Sequence, residues 1–116
     1  MSKRINIPLV GKHFHIYVGE KEWPTWYRAV KREGGLHGDD TIDSPPRAGG
    51  GRCWYGWIWV HDTVDTNTVF HEVSHILARL YEISNCERET EFKAYLAGEI
   101  LSKVHAWLNE VNRDAG

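Results

Sequence analysis

The sequence predicts a single α+β domain, and three observations carry that prediction. Three segments, two near the N-terminus and one in mid-chain, are rich in β-branched and aromatic residues and read as strands. Three others repeat apolar residues at spacings of three and four, the pattern of amphipathic helices. The order is strand, strand, helix, strand, helix, helix, with no internal repeat and no linker in 116 residues, the size of one domain. The architecture expected is a small three-stranded mixed sheet packed on an N-terminal helix, a second helix and a long C-terminal helix.

Each element has its own justification. Ile5 to Val10 is apolar but broken by Pro8, which cannot donate to a ladder and suits an edge strand. After a turn at Gly11-Lys12, His13 to Val18 alternates, with Phe14, Ile16 and Val18 on one face and His13 and His15 on the other. Glu20 to Glu33 carries Trp23, Trp26, Tyr27 and Val30 at helical spacing, and Pro24 is tolerated in the first turn. Residues 34–52 are rich in Gly, Pro, Asp and Ser without a period. They predict a long mobile loop, of the kind that often serves a compact domain as lid or binding loop.

Cys53 to Val60 is almost wholly aromatic and β-branched and reads as one strand. On it Tyr55, Trp57 and Trp59 take one side, and Trp54, Ile58 and Val60 the other. Asp65 or Thr66 caps a helix reaching about Glu82, with a core stripe of Val69, Val73, Ile76 and Leu80. Ser84-Asn85-Cys86-Glu87 reads as a capping box for a last helix from about Cys86 to Val111. Its apolar arc, Phe92, Leu96, Ile100, Val104, Trp107 and Val111, is wide enough to serve a homodimer.

Composition excludes several function classes. A formal charge of −2 gives no electrostatic reason for a nucleic acid or an anionic membrane as partner. No apolar run is long enough to cross a bilayer, and the basic N-terminus is followed by no apolar signal region. Cys53 and Cys86 suggest no disulfide framework and suit packing in a reduced cytoplasmic chain.

The chemistry lies in His71-Glu72-Val73-Ser74-His75. Residues four apart share one face of a helix, so both imidazoles can reach one ion, and the pattern is the signature of a zincin helix. On the wheel, His71, His75 and Ala78 border the core stripe, a position equally open to two ordinary boundary histidines. A catalytic Zn²⁺ takes three protein ligands and keeps one position for water. Glu82 and Glu87 are unsuited, the first by its place on the same helix and the second by its capping role. Glu99 and His105 lie too far along the last helix. Glu89 and Glu91 are left, on nearly opposite faces, and periodicity does not choose between them. Glu91 shares a stripe of small residues with Ala94, Tyr95, Gly98 and Ser102, which can press against the motif helix. His13 with His15, and Asp39, Asp40 and Asp43, are weaker metal candidates, for a chelated ion and Ca²⁺ respectively.

The motif followed by Glu91-Phe92-Lys93-Ala94-Tyr95-Leu96-Ala97-Gly98-Glu99-Ile100 resembles a group of small phage-encoded proteins. These carry His-Glu-x-x-His, a short connector and Glu-x-x-Ala-Tyr-Leu-x-Gly-x-Ile. The segment is more distantly similar to the minimal gluzincin cores of ImmA/IrrE-type metallopeptidases. The match covers about residues 53–101, including the strand before the motif helix. It implies a minimal zincin-like domain, His71, His75 and Glu91 as zinc ligands, and Glu72 as general base. In zincins the strand before the motif helix is the sheet edge along which an extended peptide lies. Tyr95, one turn from Glu91, is the candidate donor to the developing oxyanion; a tyrosine packed between the two helices is the alternative. The expectation is a zinc-dependent metallopeptidase acting on a peptide or protein in a bacterial host's cytoplasm. Its rival is a non-catalytic protein of the same fold that binds a host or phage protein.

Overall fold

The alternation of the N-terminal segments builds a two-sided sheet. In the computed structural model, which describes residues 1–35, 40–47, 49–83 and 90–115, strand β1 (Ser2–Ile7) pairs antiparallel with β2 (Lys12–Val18). A 3₁₀ turn over Pro8–Val10 joins them. Helix α1 (Trp23–Arg32), strands β3 (Gly51–Trp54) and β4 (Trp57–Val60), and helices α2 (Thr66–Ile83) and α3 (Thr90–Ala115) follow. The sheet order is β1-β2-β4-β3, with β2 and β4 parallel and β3 and β4 antiparallel. It is a mixed sheet, as expected, with β1 on one edge.

The strand count differs from three, because Cys53 to Val60 is not one strand. Tyr55, at φ 48°, and Gly56 turn the chain back on itself. Aromatic and β-branched content is the same on either side of that turn, so composition conceals it. The hairpin also changes the faces: Trp54 pairs with Trp57 and points the same way, away from the face of Ile58 and Val60. Gly51 and Arg52, assigned by sequence to the long loop, begin β3, and Thr41 bridges Ser44 within that loop. The hairpin leaves β4 inside the sheet and makes β3 its second edge.

Both faces are covered. Ile5, Ile7, Phe14, Ile16, Ile58 and Val60 meet Val69, Val73, Ile76 and Leu80 of α2 and Leu96, Ile100, Val104 and Trp107 of α3. These are the stripes that period 3.6 predicts. On the opposite face Trp23, Trp26 and Val30 of α1 pack on Trp59, flanked by Tyr17, Trp54 and Trp57. Helix packing thus accounts for this aromatic side of the sheet. The indoles of Trp23, Trp26 and Trp59 donate to the carbonyls of Thr41, Trp57 and Gly19 at 2.8, 3.1 and 2.8 Å. These three buried rings therefore leave no polar atom unpaired. Helix α1 ends where Gly34 turns left-handed (φ 80°) and Gly35 N–H reaches back to the Val30 carbonyl at 2.9 Å. A Cβ at Gly35 would run into the Trp54 indole, so this glycine also seats β3.

Of the two caps the sequence offers, Asp65 and Thr66, it is Asp65 that caps α2, accepting from Thr68 N–H at 3.3 Å and Thr68 hydroxyl at 2.7 Å. Asp65→Ala is expected to lower stability by about 1 kcal/mol, read as a shift of the urea midpoint at unchanged slope. Thr63 and Asn112 exchange two hydrogen bonds, at 2.7 and 2.9 Å, tying the end of α3 to the loop before α2. The expected capping box at 84–87, with Cys86, Glu87 and Glu89, lies outside the described residues. Among those described, no helix is long and apolar enough to cross a membrane.

Candidate active site between the edge strand and the second helix

Glu72 sits on α2 one position before Val73, at the border of the stripe that enters the core. Its side chain therefore turns inward, toward β3. A Cβ built on Gly51 would stand 3.1 Å from Glu72 Cγ, 3.2 Å from its Oε1 and 3.0 Å from Thr68 Cγ2. A side chain there would require Glu72 and Thr68 to shift by a few tenths of an ångström, so glycine favours the close passage of strand and carboxylate. Glu72 is 7 % exposed, and its carboxylate accepts no hydrogen bond from the described residues. Burial raises its pKa; His71, His75 and Arg52, in that order, oppose the rise. The carboxylate opens onto the groove beside it, and carboxylates whose pKa is raised by burial in a cleft concentrate at functional sites.

His71 and His75 are exposed on the same helix, one turn apart, with ring centroids 5.0 Å apart and planes at 87°. Neither ring is hydrogen-bonded to a described residue. A groove of about 510 Å³ runs between helix and strand. Gly51, Cys53 and Tyr55 form its strand side, and Glu72, His75 and Arg79 its helix side.

Among the described residues the strand side is an open edge. Bonded positions alternate in an antiparallel pair, and His61 N–H donates to the Gly50 carbonyl at 3.3 Å. Arg52 and Trp54 thus bond to β4, whereas the backbone groups of Gly51 and Cys53 face outward. Arg52 Nη1 takes the Gly51 carbonyl at 2.9 Å, while Nε and Nη2 hold Asp40 at 3.0 and 3.2 Å. That leaves the N–H groups of both residues and the Cys53 carbonyl at the edge. The expectation that the strand before α2 is a sheet edge is corrected accordingly: β4 is internal, and the hairpin makes β3 the edge.

Cys53 packs against the main core, and burial, with the neighbouring Glu72 carboxylate, pushes its thiol up to about 12. Relative to an ordinary value of 9.0 the thiolate fraction falls about a thousandfold. Alkylation of Cys53 at mildly alkaline pH should accordingly be slower than in the urea-unfolded chain by a factor of that order. Peptide mapping by mass spectrometry checks it.

The other candidates are placed as follows. Glu91, in the first turn of α3, is exposed. Among the described residues no three His, Cys, Asp or Glu side chains are close enough to hold one ion, so Glu91 is not gathered with the two imidazoles. The stripe that sequence offered as a contact with α2 faces outward: Tyr95 is 68 % exposed, and nothing stands within 4 Å of a Cβ at Gly98. Asp40 is occupied by Arg52, and Asp39 lies outside the described residues. His13 and His15 form an edge-to-face pair 5.1 Å apart, and Arg4 Nη2 lies 3.3 Å from His13 Nδ1. In donor chemistry His71, His75 and Glu91 fit zinc, two imidazoles and a carboxylate, and the first two are already spaced to share an ion. Sequence reasoning missed Gly51 and Arg79. Arg79 had a signal, four residues beyond His75 on the same helical face; Gly51 had none, because its importance is a contact across chain segments.

Comparison with protein families, with curated proteins and with solved structures found no match to this chain.

Proposed function

We propose that this protein is a zinc-dependent metallopeptidase that cuts a peptide laid along β3. The observation that carries the reading is Glu72: a side chain 7 % exposed at the wall of a groove, with no hydrogen bond from the described residues, on the same helix as His71 and His75. An extended substrate adds to the open edge through the N–H groups of Gly51 and Cys53 and the Cys53 carbonyl. His71 and His75 would hold the ion, and Glu91, which stands apart from them, would have to close on the site to serve as third ligand. When bound, zinc supplies Lewis acidity toward the scissile carbonyl and the attacking water.

Glu72 accepts the water's proton at its carboxylate and returns it to the leaving amine nitrogen. A base that holds a proton more tightly than an ordinary glutamate is better matched to this shuttle near neutral pH. The fold assigned is the minimal zincin-like domain, and the compartment the bacterial cytoplasm. The rival, a zincin-like protein that binds a partner without cutting it, is favoured by the outward stripe of Ala94, Tyr95 and Gly98.

The test pairs elemental analysis of the purified protein with hydrolysis of a fluorescein-labelled casein, with and without chelator. One zinc per chain and chelator-sensitive cleavage are expected. A protein that takes up no zinc when incubated with it would sink the proposal.

A further inference from the structure

Beside the groove lies a second cavity of about 250 Å³. Its floor is apolar, made by Ile7 of β1, Phe14 of β2, and Ile76 and Leu80 of α2. Its rim is cationic: Lys12 and Arg79 stand there with His13, and no carboxylate among the described residues lines it. Lys12 has no hydrogen bond or ion pair to a described residue. Arg79 Nη1 meets Glu82 at 3.3 Å, but both partners are exposed, and such a pair is weak. The guanidinium lies 4.7 Å from the centroid of the Tyr55 ring. Tyr55 and Arg79 line both cavities, so this stacked pair is their common wall.

Distance ties the pocket to the chemistry. Arg79 is seven residues from Glu72 on α2, about 10 Å along the axis. An extended peptide covers that length in about three residues. A chain lying on β3 and passing Tyr55 therefore delivers a side chain to the second cavity about three positions from the bond beside Glu72. A cavity with an apolar floor and a rim of positive charge complements an apolar side chain with a carboxylate next to it.

Resting on the peptidase reading of the Glu72 groove, we propose that this pocket selects substrates carrying a large apolar residue adjacent to Asp or Glu, about three residues from the cleaved bond. The apolar side chain fills the floor, and the neighbouring carboxylate meets Lys12 and Arg79.

Peptides blocked at both ends, so that no terminal charge competes, test this. Three versions carry Leu-Glu, Leu-Gln or Ala-Glu at the chosen position. Binding of dye-labelled peptide to chelator-treated protein is read by anisotropy, and hydrolysis by the zinc-loaded protein is read separately as kcat/KM. The Ala-Glu peptide should bind about tenfold more weakly than Leu-Glu. Leu-Gln should bind about threefold more weakly. Lys12→Gln, which touches this cavity and not the Glu72 groove, should shrink the difference between Glu and Gln. Equal affinity for all three peptides overturns the pocket, whether or not they are cut. The expected order without cleavage of any peptide leaves the pocket as a recognition site and overturns the peptidase reading.

Discussion

Glu72→Gln is expected to keep its zinc and lose peptide hydrolysis by about 10²- to 10⁴-fold, the usual contribution of a positioned general base. Glutamine matches glutamate in size, so contact with Gly51 persists while the proton acceptor is gone. A loss in kcat with little change in KM is the signature, since the carboxylate acts on the water and not on the bound peptide. Full activity in the variant would remove Glu72 from the reaction and leave the partner-binding reading in its place.

The same substitution has a second, independent readout in chelator-treated protein. Burial raises the pKa of Glu72 in the folded state above its ordinary 4.5. Folded protein then keeps a proton that the unfolded chain has released. Stability from this group is present in full below the unfolded value and is lost as pH rises through the raised folded value. Metal-free Glu72→Gln should therefore melt above the wild type near neutral pH, with the difference closing below pH 4.5. A wild type that melts higher at neutral pH would mean that an unseen partner stabilises the carboxylate.

His71→Ala and His75→Ala are expected to abolish the stabilisation that zinc confers. An ion that binds only the folded chain adds about 2.7 kcal/mol at a free concentration about 100 times its Kd. Differential scanning fluorimetry with and without zinc should show that gain in wild type and in Glu72→Gln, and its loss in both histidine variants. Without one imidazole the ion keeps too few protein donors in an exposed site. Glu91→Ala should also weaken zinc binding. Retention of full affinity there would move the third ligand to another acid, with Glu89 next in line. A zinc shift that survives in His71→Ala would show that the ion binds elsewhere.

Much of the helical architecture was legible because helical information is local. The stripe Val69, Val73, Ile76 and Leu80 lies within four turns of one helix, and Asp65 caps that helix through a residue three positions on. The same locality put the two histidines one turn apart. The α+β class, the three expected helices and the two N-terminal strands come from spacings that no distant residue can alter.

Pairing between strands is different in kind. Whether Tyr55 and Gly56 continue a strand or reverse it depends on φ at Tyr55 and on the partners that the returning chain finds in β2 and β4. Gly51 becomes important only when a strand from one part of the chain meets a carboxylate from another. The aromatic cluster around Trp59 likewise needed α1 in place before its rings could be assigned to a core. Periodicity tells which face of an element is apolar; it does not tell which element will cover that face, or where an edge stays open. Hence the spacing of His71, Glu72 and His75 was readable along the chain, whereas the groove, its edge strand and its cationic neighbour exist only after distant segments have packed.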